Sequence, residues 1–321
     1  MKVKILEIMN FIEFTRLYPD EDNCIKHFRE LKEKRSLVCP FCGSTEFYWS
    51  QKYKSHDCKK CSYRITLRSG TIMESSHLPF TYWFYAMYLM VMQKKSISAL
   101  EVQRQLEHKY YHPIWAMMHK IRRVMGNRDE KYELDGVVEL DDAFFKTHSD
   151  NETKKPNKRG RGSEGQSNVL VMAKVVPKVG RPKKYKKSSA FRYVKMDVIP
   201  GSGADSVNQA VSTEVAPTSK IKSDDWGGFN QIKEVVAKHD QRVVTPSQAS
   251  KVLPWVHVMI SNAKRNLLGT YHKTKDVYLQ NYLNEFCYKT NRRLFHADLF
   301  EHLLLAAVLY TRFSKLEYKN A

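Results

Sequence analysis

The sequence has little negative charge and no long hydrophobic run. Its 321 residues include 34 Asp and Glu against 54 Lys and Arg, a formal net charge of +20 at pH 7. A surface of this sign attracts polyanions and gains affinity by releasing their counterions, so nucleic acid is the expected partner. No stretch reaches the roughly 18 apolar residues of a membrane span, and the segment MKVKILEIMNFIEF has acids inside its apolar part and no small-residue cleavage site. We therefore expect a soluble, cytoplasmic protein with no membrane partner.

Cysteine is also scarce, and this excludes a disulfide-rich secreted scaffold. Four of the six cysteines form two Cys-x-x-Cys pairs, Cys39 with Cys42 and Cys58 with Cys61. This spacing is typical of two metal-binding knuckles on facing hairpins, whose four thiolates surround Zn²⁺. The alternatives are two disulfides or four buried thiols, but a cytosolic chain rarely keeps disulfides. Because four thiolates leave no open coordination position, we expect this zinc to be structural.

A helical segment is predicted after the cysteines, so that we divide this half into residues 1–75, with the zinc ribbon, and 76–130. The stretches FTYWFYAMYLMVMQKK, SISALEVQRQL and YHPIWAMMHKIRRVMG have helical apolar spacing or helix-start signals. In the last one Lys120, Arg122 and Arg123 lie outside the apolar stripe. The outline fits a helix-turn-helix that contacts DNA, and equally an ordinary α-hairpin. The zinc ribbon and the +20 charge favour DNA recognition.

Strands dominate residues 131–321, which we predict to form an α/β domain with a mixed sheet between helices. The predicted strands are GVVELDDAFF, SNVLVMAKVV, AFRYVKMDVIP and SKIKSDDWGGF, with helices at ADSVNQAVSTEV and NQIKEVVAKH. Two intervening loops are rich in Lys, Arg, Gly and Pro. Such loops are either solvated charge or clamps for DNA phosphates, and we favour the clamp. Its predicted contacts are Lys158, Arg159, Arg161, Lys183 and Lys184.

Acids lie at the ends of separate strands in this domain. Strand alternation places Glu139 and Asp141 on one face and Asp142 on the other. A carboxylate in a half-buried strand is costly unless a cation neutralises it. Asp141 and Asp224, from two strands, would together suit Mg²⁺, which prefers carboxylate oxygens. The alternative is that both acids cap helices or pair with lysines.

The order of motifs resembles that of bacterial insertion-sequence transposases with an N-terminal zinc ribbon and an RNase H-like DDE domain. The shared stretches are CPFCGSTEFY, DCKKC, VVELDDAFF, RGRGSEGQSNVLVM, SDDWGGF, NAKRNLLGTYH and YLNEFCYKTNRR. The resemblance implies an RNase H-like fold, with DNA cleavage at transposon ends and strand transfer by one metal-dependent site. It carries Asp141 over as the first acid and Asp224 as the second.

The third acid of that family is missing here. Family members with a complete triad have a Glu about two helical turns before a Lys, and these positions fall on His257 and Lys264. Some members have Asn instead, and Asn262 lies nearby. His257 and Lys264 share a helix face, whereas Asn262 lies roughly 140° from His257, which favours His257. Imidazole suits Mn²⁺ better than Mg²⁺, so that the preferred ion stays open.

The expected function is therefore transposition of an insertion sequence. The protein would bind terminal inverted repeats and target DNA, cut with Mg²⁺ or Mn²⁺, and join the freed 3′-hydroxyl to the target. Lys264 would hold a backbone phosphate or, alternatively, face solvent. Arg265, Arg292 and Arg293 are further predicted DNA contacts, and the alternative for the last two is an interaction with the C-terminal dipole of their helix. Because two ends must meet, we expect a dimer or larger assembly in the bacterial cytoplasm, at the nucleoid. The alternative, which the altered third position supports, is an inactive or domesticated DNA-binding protein.

Overall fold

The chain divides into two compact units, and this division differs from the predicted one. The structure is a computed structural model and describes residues 9–34, 37–148, 165–178, 189–201, 203–243, 252–272, 274–293 and 298–309. The first unit combines residues 1–124 with 295–321, and the second comprises residues 125–294. The carboxy-terminal segment thus groups with the amino-terminal half, and not with the α/β domain predicted at 131–321.

An aromatic cluster explains this grouping in the first unit. The helices described there are α1 (Phe11–Leu17), α2 (Glu21–Glu33), α3 (Phe80–Met92), α4 (Ala99–Gln105), α5 (Tyr111–Asp129, whose last turn counts with the second unit) and α9 (Leu299–Leu309). The Phe300 ring of α9 packs edge-on against Phe14, at 5.3 Å between centroids, and lies 5.7 Å from Phe84. Tyr18 donates a hydrogen bond of 2.8 Å to Glu301. Burial of these large rings holds α9 against α1 and α3.

The zinc-ribbon segment forms a small antiparallel sheet. Its strands are β1 (Phe47–Ser50), β2 (Ser55–Cys58) and β3 (Arg64–Thr66), in the order β1-β2-β3. Gly43 has a φ of +71°, a left-handed conformation that glycine adopts without strain, and it closes the first knuckle. So small a sheet has little core, which leaves a need for stabilisation by metal.

A five-stranded mixed sheet forms the second unit. Its strands are β4 (Val137–Lys146), β5 (Gln166–Pro177), β6 (Ser189–Val198), β7 (Lys220–Asp224) and β8 (Lys238–Arg242). The order is β6-β5-β4-β7-β8, with the first three antiparallel and the β4-β7-β8 pairs parallel. Helices α6 (Ala204–Glu214), α7 (Pro254–Tyr271) and α8 (Leu279–Asn291) flank it. This is the mixed, helix-flanked architecture of an RNase H-like domain, as predicted.

Alternation along β4 separates two cores. Val138 and Leu140 pack with Val207 and Val211 of α6. On the other face, alternate residues of β4 meet α7 and α8, with Ala143 and Phe145 among Val256, Met259, Leu279 and Leu283. The face toward α7 is also the face of Glu139 and Asp141, so the strand carries its acids on the α7 side.

One predicted helix is wrong. The segment NQIKEVVAKH does not form a continuous helix but contains a short 3₁₀ turn, Ile232–Glu234, and then enters β8. Its last residues pair in parallel with β7, Lys238 opposite Lys220. Sheet pairing therefore overrides the helical pattern of this stretch. Within the described part of the chain, no helix is long and apolar enough to cross a membrane.

Candidate active site and zinc cluster

The first acid of the site lies on β4 beneath α7. The Asp141 side chain is on the α7 face of the strand, and the residue is only 9% exposed. Its antiparallel partner is Val171, an apolar residue of the central strand β5. A carboxylate held among such neighbours loses most of its hydration, which makes its ionised form costly.

The second acid, Asp224, is the last residue of β7. Strand β7 runs parallel to β4, and its Lys222 pairs with Glu139. The carboxyl end of β7 therefore lies at the same end of the sheet as Asp141. The Asp224 Oδ1 atom accepts a hydrogen bond of 3.3 Å from the backbone N–H of Trp226. The chain then turns, with the Trp226 indole lying over Gly228, where a Cβ atom would come within 2.3 Å of the ring.

Helix α7 supplies the third and fourth side chains. Pro254 occupies the first turn, where its missing N–H costs no hydrogen bond. His257 follows, and its Nδ1 lies 3.2 Å from Asp141 Oδ2. Lys264, about two turns further along, has its Nζ 5.5 Å from the centre of the Phe145 ring. Strand β4 and helix α7 thus present their polar groups to each other.

These four side chains line one open cleft with a volume of about 570 Å³. The lining residues are Asp141, Asp142, Ala143, Phe144, Gln166, Asp224, His257, Ile260 and Lys264. Asn262, the other candidate for the third position, instead accepts a hydrogen bond of 2.6 Å from Arg265 through its Oδ1. Gln166 was not predicted, although it is a polar residue at the first position of a strand. The cleft therefore joins the predicted acids with His257 and Lys264.

The cleft holds more negative than positive charge. Burial, together with the negative charges of Asp224 and Asp142, raises the pKa of Asp141 to about 7. Burial lowers the pKa of Lys264, while Asp141 and Asp142 oppose that shift. A divalent cation would relieve this repulsion, and two carboxylates with an imidazole are a chemically suitable donor set for Mg²⁺ or Mn²⁺. Among the described residues, however, only the four cysteines bring three or more ligand atoms within 4.8 Å of one another.

The four cysteines gather at the ends of the zinc-ribbon hairpins. The Sγ atoms of Cys39, Cys42, Cys58 and Cys61 all lie within 4.8 Å of one another, and the Sγ atoms in the pairs Cys39–Cys61 and Cys42–Cys58 are each 3.5 Å apart. A tetrahedral zinc with bonds of about 2.3 Å needs sulfur atoms roughly 3.8 Å apart. The cluster therefore fits a zinc ion held by four thiolates.

Two predicted DNA contacts need correction. Arg122 is only 1% exposed, so its guanidinium does not face solvent on α5. Arg292 is engaged within the second unit, where its Nη1 lies 2.5 Å from Asp129 Oδ1 and its guanidinium stacks 3.9 Å from the Tyr288 ring centre. Neither is proposed as a DNA contact, because Arg122 is buried and the Arg292 guanidinium contacts Asp129 and Tyr288.

The remaining basic candidates are more accessible. Arg265 and Arg293 are exposed, Arg123 is half-buried, and half-buried Lys120 donates from Nζ to the backbone carbonyl of Glu74 at 3.0 Å. The predicted loop contacts Lys158, Arg159, Arg161, Lys183 and Lys184 lie outside the described residues. Arg123, Arg265 and Arg293 therefore stay predictions with a compatible position.

Comparison with known families gives a match to a transposase domain. Residues 133–291, which span the sheet, α6, α7 and α8, match the ISXO2-like transposase domain. No curated protein sequence matches the chain. The matched segment contains Asp141, Asp224, His257 and Lys264. With its helix-flanked mixed sheet, its four-cysteine cluster and this match, the chain belongs to the insertion-sequence transposases that carry an ISXO2-like domain.

Proposed function

We propose that this protein binds the ends of an insertion sequence and catalyses both DNA cleavage and strand transfer at the Asp141 cleft. The observation that carries the proposal is the meeting of Asp141, Asp224, His257 and Lys264, from three separate elements, in one open cleft of an ISXO2-like transposase domain. Buried acids are rare unless they are paired or bind a cation, because an isolated buried charge destabilises the fold.

Asp141, Asp224 and His257 are the residues that would hold a divalent cation. A bound Mg²⁺ or Mn²⁺ would stabilise negative charge as it develops on the oxygens of the phosphodiester. Asp141 and Asp224 contribute carboxylate oxygens, and His257 contributes a ring nitrogen in place of a third carboxylate. Imidazole is a softer donor than carboxylate, so that this set favours Mn²⁺ relative to an all-carboxylate site.

Lys264 would bind the DNA itself. Its ammonium group lies at the cleft, and as a compact point charge it suits a non-bridging phosphate oxygen. Exposed Arg265, one residue further along α7, is available for a neighbouring phosphate. Together these residues would hold the backbone while the acids act on the scissile bond.

Both reactions balance without an external energy source. In cleavage, water attacks the phosphorus at the transposon end, the bond to the 3′-oxygen breaks, and a free 3′-hydroxyl remains. In transfer, that hydroxyl attacks a target phosphodiester, so that one phosphodiester bond forms as another breaks. The same cleft serves both steps because only the nucleophile differs.

The zinc ribbon and the basic residues Arg123 and Arg293 would bind DNA outside the cleft. The net charge of +20 supplies a general attraction for the duplex. Joining two transposon ends to one target requires two cleavage sites, and we therefore propose a dimer or larger assembly on DNA.

The competing proposal is a DNA-binding protein that no longer turns over. It draws support from the imidazole at the third position, because a neutral ligand neutralises less of the metal's charge than a carboxylate does. The candidate ligand atoms of the cleft lie farther apart than the sulfur atoms of the cysteine cluster. This spacing is compatible with a protein that binds DNA without cutting it. Activity, and not binding, separates the two proposals.

The test is a cleavage and joining assay on labelled duplexes that carry the element's own terminal repeats, with Mg²⁺ or Mn²⁺. We expect products with wild-type protein and none with Asp141→Ala or Asp224→Ala. Asp135→Ala is a matched control, since this exposed acid pairs with Lys174 and lies before β4. It should cut normally. A wild-type protein that binds these ends but cuts neither strand with either ion would favour the competing proposal.

A further inference from the structure

Helix α7 lacks a capping side chain of its own. Leu253 precedes the helix and its side chain makes no capping hydrogen bond, and Pro254 follows it. The first N–H groups of a helix have no partner within the helix, and leaving them buried without an acceptor costs free energy. The start of α7 is buried, since Leu253, Pro254 and Val256 are all buried.

Glu139 of β4, which is distant from α7 in the sequence, supplies the missing hydrogen-bond acceptor. Its Oε2 accepts hydrogen bonds from the backbone N–H groups of Trp255, at 2.7 Å, and Val256, at 3.0 Å. The residue is 3% exposed. A negative charge at this position also complements the positive end of the helix dipole. One carboxylate oxygen therefore fixes the first turn of α7 to the sheet.

The connection lies directly beside the cleft. Glu139 and Asp141 are alternate residues on the same face of β4, and His257 is the next residue along α7 after Val256. The two hydrogen bonds thus join the strand that carries Asp141 to the helix turn that carries His257. His257 Nδ1 and Asp141 Oδ2, which these two elements carry, are 3.2 Å apart.

We propose that Glu139 is a positioning residue that fixes the separation between Asp141 and His257, and hence the affinity of the cleft for its divalent ion. The proposal rests on the function proposed above for that cleft. Glu139 is not among the residues that line the cleft, so it would act through Asp141 and His257 and not on the ion directly. Residues that orient metal ligands typically change metal affinity by about 10- to 100-fold when removed.

The test is a Mn²⁺ titration of the zinc-loaded, full-length protein, followed by the loss of the free Mn²⁺ signal in electron paramagnetic resonance. We expect Glu139→Ala to weaken Mn²⁺ binding by about tenfold or more. Glu139→Gln should weaken it less, because the amide oxygen still accepts hydrogen bonds from the helix. This partial rescue separates positioning from a loss of bulk.

The chain offers a matched control in Glu21. Its two carboxylate oxygens accept hydrogen bonds from the N–H groups of Phe80, at 2.8 Å, and Thr81, at 2.9 Å, at the start of α3. Glu21→Ala removes a long-range helix cap of the same kind in the first unit. It should lower stability without changing the Mn²⁺ affinity of the cleft.

A double-mutant cycle asks whether Glu139 acts through His257. If it does, Glu139→Ala should change Mn²⁺ affinity much less in a His257→Ala background, so that the two effects do not add. Additive effects in the cycle would overturn the proposal. If Glu139→Ala does not fold, Glu139→Gln and Glu139→Asp decide: wild-type affinity in both overturns the proposal, and a loss in either supports it.

The titration also keeps this proposal apart from the proposed function. Asp141→Ala should abolish Mn²⁺ binding at the cleft. If it binds Mn²⁺ as wild type does, the proposed metal site itself is wrong. If Asp141→Ala fails to bind while folded Glu139→Ala binds normally, only the positioning role is wrong.

Discussion

Asp141 is a single residue whose ionised form is unfavourable until a cation binds beside it. Its carboxylate is buried near two other acids, and its pKa is raised to about 7 from an ordinary value of 3.8. Between about pH 4 and pH 7 the folded protein therefore holds a proton that the unfolded chain would release. The stability of the protein without a divalent ion thus falls as pH rises through this window.

Removing this charge should stabilise the protein while destroying its site. Without added Mg²⁺ or Mn²⁺, we expect Asp141→Asn to be more stable than wild type at pH 8, by up to roughly 4 kcal/mol at about 1.4 kcal/mol per pKa unit. The difference should shrink at pH 5, where Asp141 is protonated in the wild type. Urea unfolding at both pH values measures it. An Asp141→Asn difference that does not depend on pH would show that the buried charge is not the cause.

Arg122 is predicted from its charge to face solvent, and this prediction is wrong. The residue lies four positions after Met118 and eight after Ile114, which places it at the edge of the apolar face of α5. Its charge suggested the solvent side, but it is buried. Glu139 is the opposite case. Alternation correctly placed it on the face of Asp141, but its partners Trp255 and Val256 are distant in sequence, so that pattern alone does not reveal them.

The elements around the site owe their positions to the parallel pairing of β4 and β7. That pairing brings Asp224, the last residue of β7, to the end of the sheet where Asp141 lies. The turn after Asp224 is fixed by the Trp226 indole, which packs at right angles to Phe229 with 4.9 Å between ring centroids. The packed turn therefore directly follows Asp224, the carboxylate that we propose as a metal ligand.

A methyl group in this turn should disturb it. Gly228→Ala would place a Cβ atom 2.3 Å from the Trp226 ring, and we expect a loss of about 1–3 kcal/mol in stability together with reduced cleavage. Gly269→Ala in α7 is the control, because a Cβ atom there meets nothing within 4 Å. It should be neutral or stabilising, since alanine favours helices. Thermal unfolding compares the two, and equal losses would contradict this explanation of the turn.

Most elements of the sheet follow from local patterns, and the exceptions depend on pairing. Apolar, β-branched runs correctly indicate β4, β5, β6 and β7. The segment NQIKEVVAKH has helical apolar spacing, but its last residues begin strand β8. They do so because the free edge of β7 allows them to pair with it in parallel. Such an edge is a property of the folded sheet and is not visible in a window of sequence.

At the scale of the whole molecule, the two units depend on different stabilising interactions. The second unit has two apolar cores, one on each face of its sheet. The zinc ribbon has four thiols and a three-stranded sheet. Cysteine spacing revealed the metal cluster from sequence because its ligands are local, whereas the return of α9 to the first unit depends on long-range aromatic packing.

Loss of one zinc ligand should therefore affect the first unit alone. We expect Cys58→Ser to lose bound zinc and the folded ribbon, while the second unit keeps its own unfolding transition. Cys24→Ala is the control, since this buried thiol of α2 is not part of the cluster. Zinc content and calorimetry measure the outcome. Full zinc occupancy in folded Cys58→Ser would contradict the assignment of the four thiolates as zinc ligands.

We propose that Asp141, Asp224 and His257 form the active site of a working transposase. Strand transfer of pre-cut transposon ends into plasmid DNA tests it most directly, with His257→Ala and Asn262→Ala compared in Mg²⁺ and Mn²⁺. Both substitutions lie on α7, so they form a matched pair. We predict that His257→Ala loses transfer by about 100-fold or more, because loss of a ligand should cost at least as much as the roughly 10- to 100-fold loss caused by removing a residue that orients one. Asn262→Ala should stay near wild type. Loss of transfer in Asn262→Ala with activity retained in His257→Ala would contradict the claim.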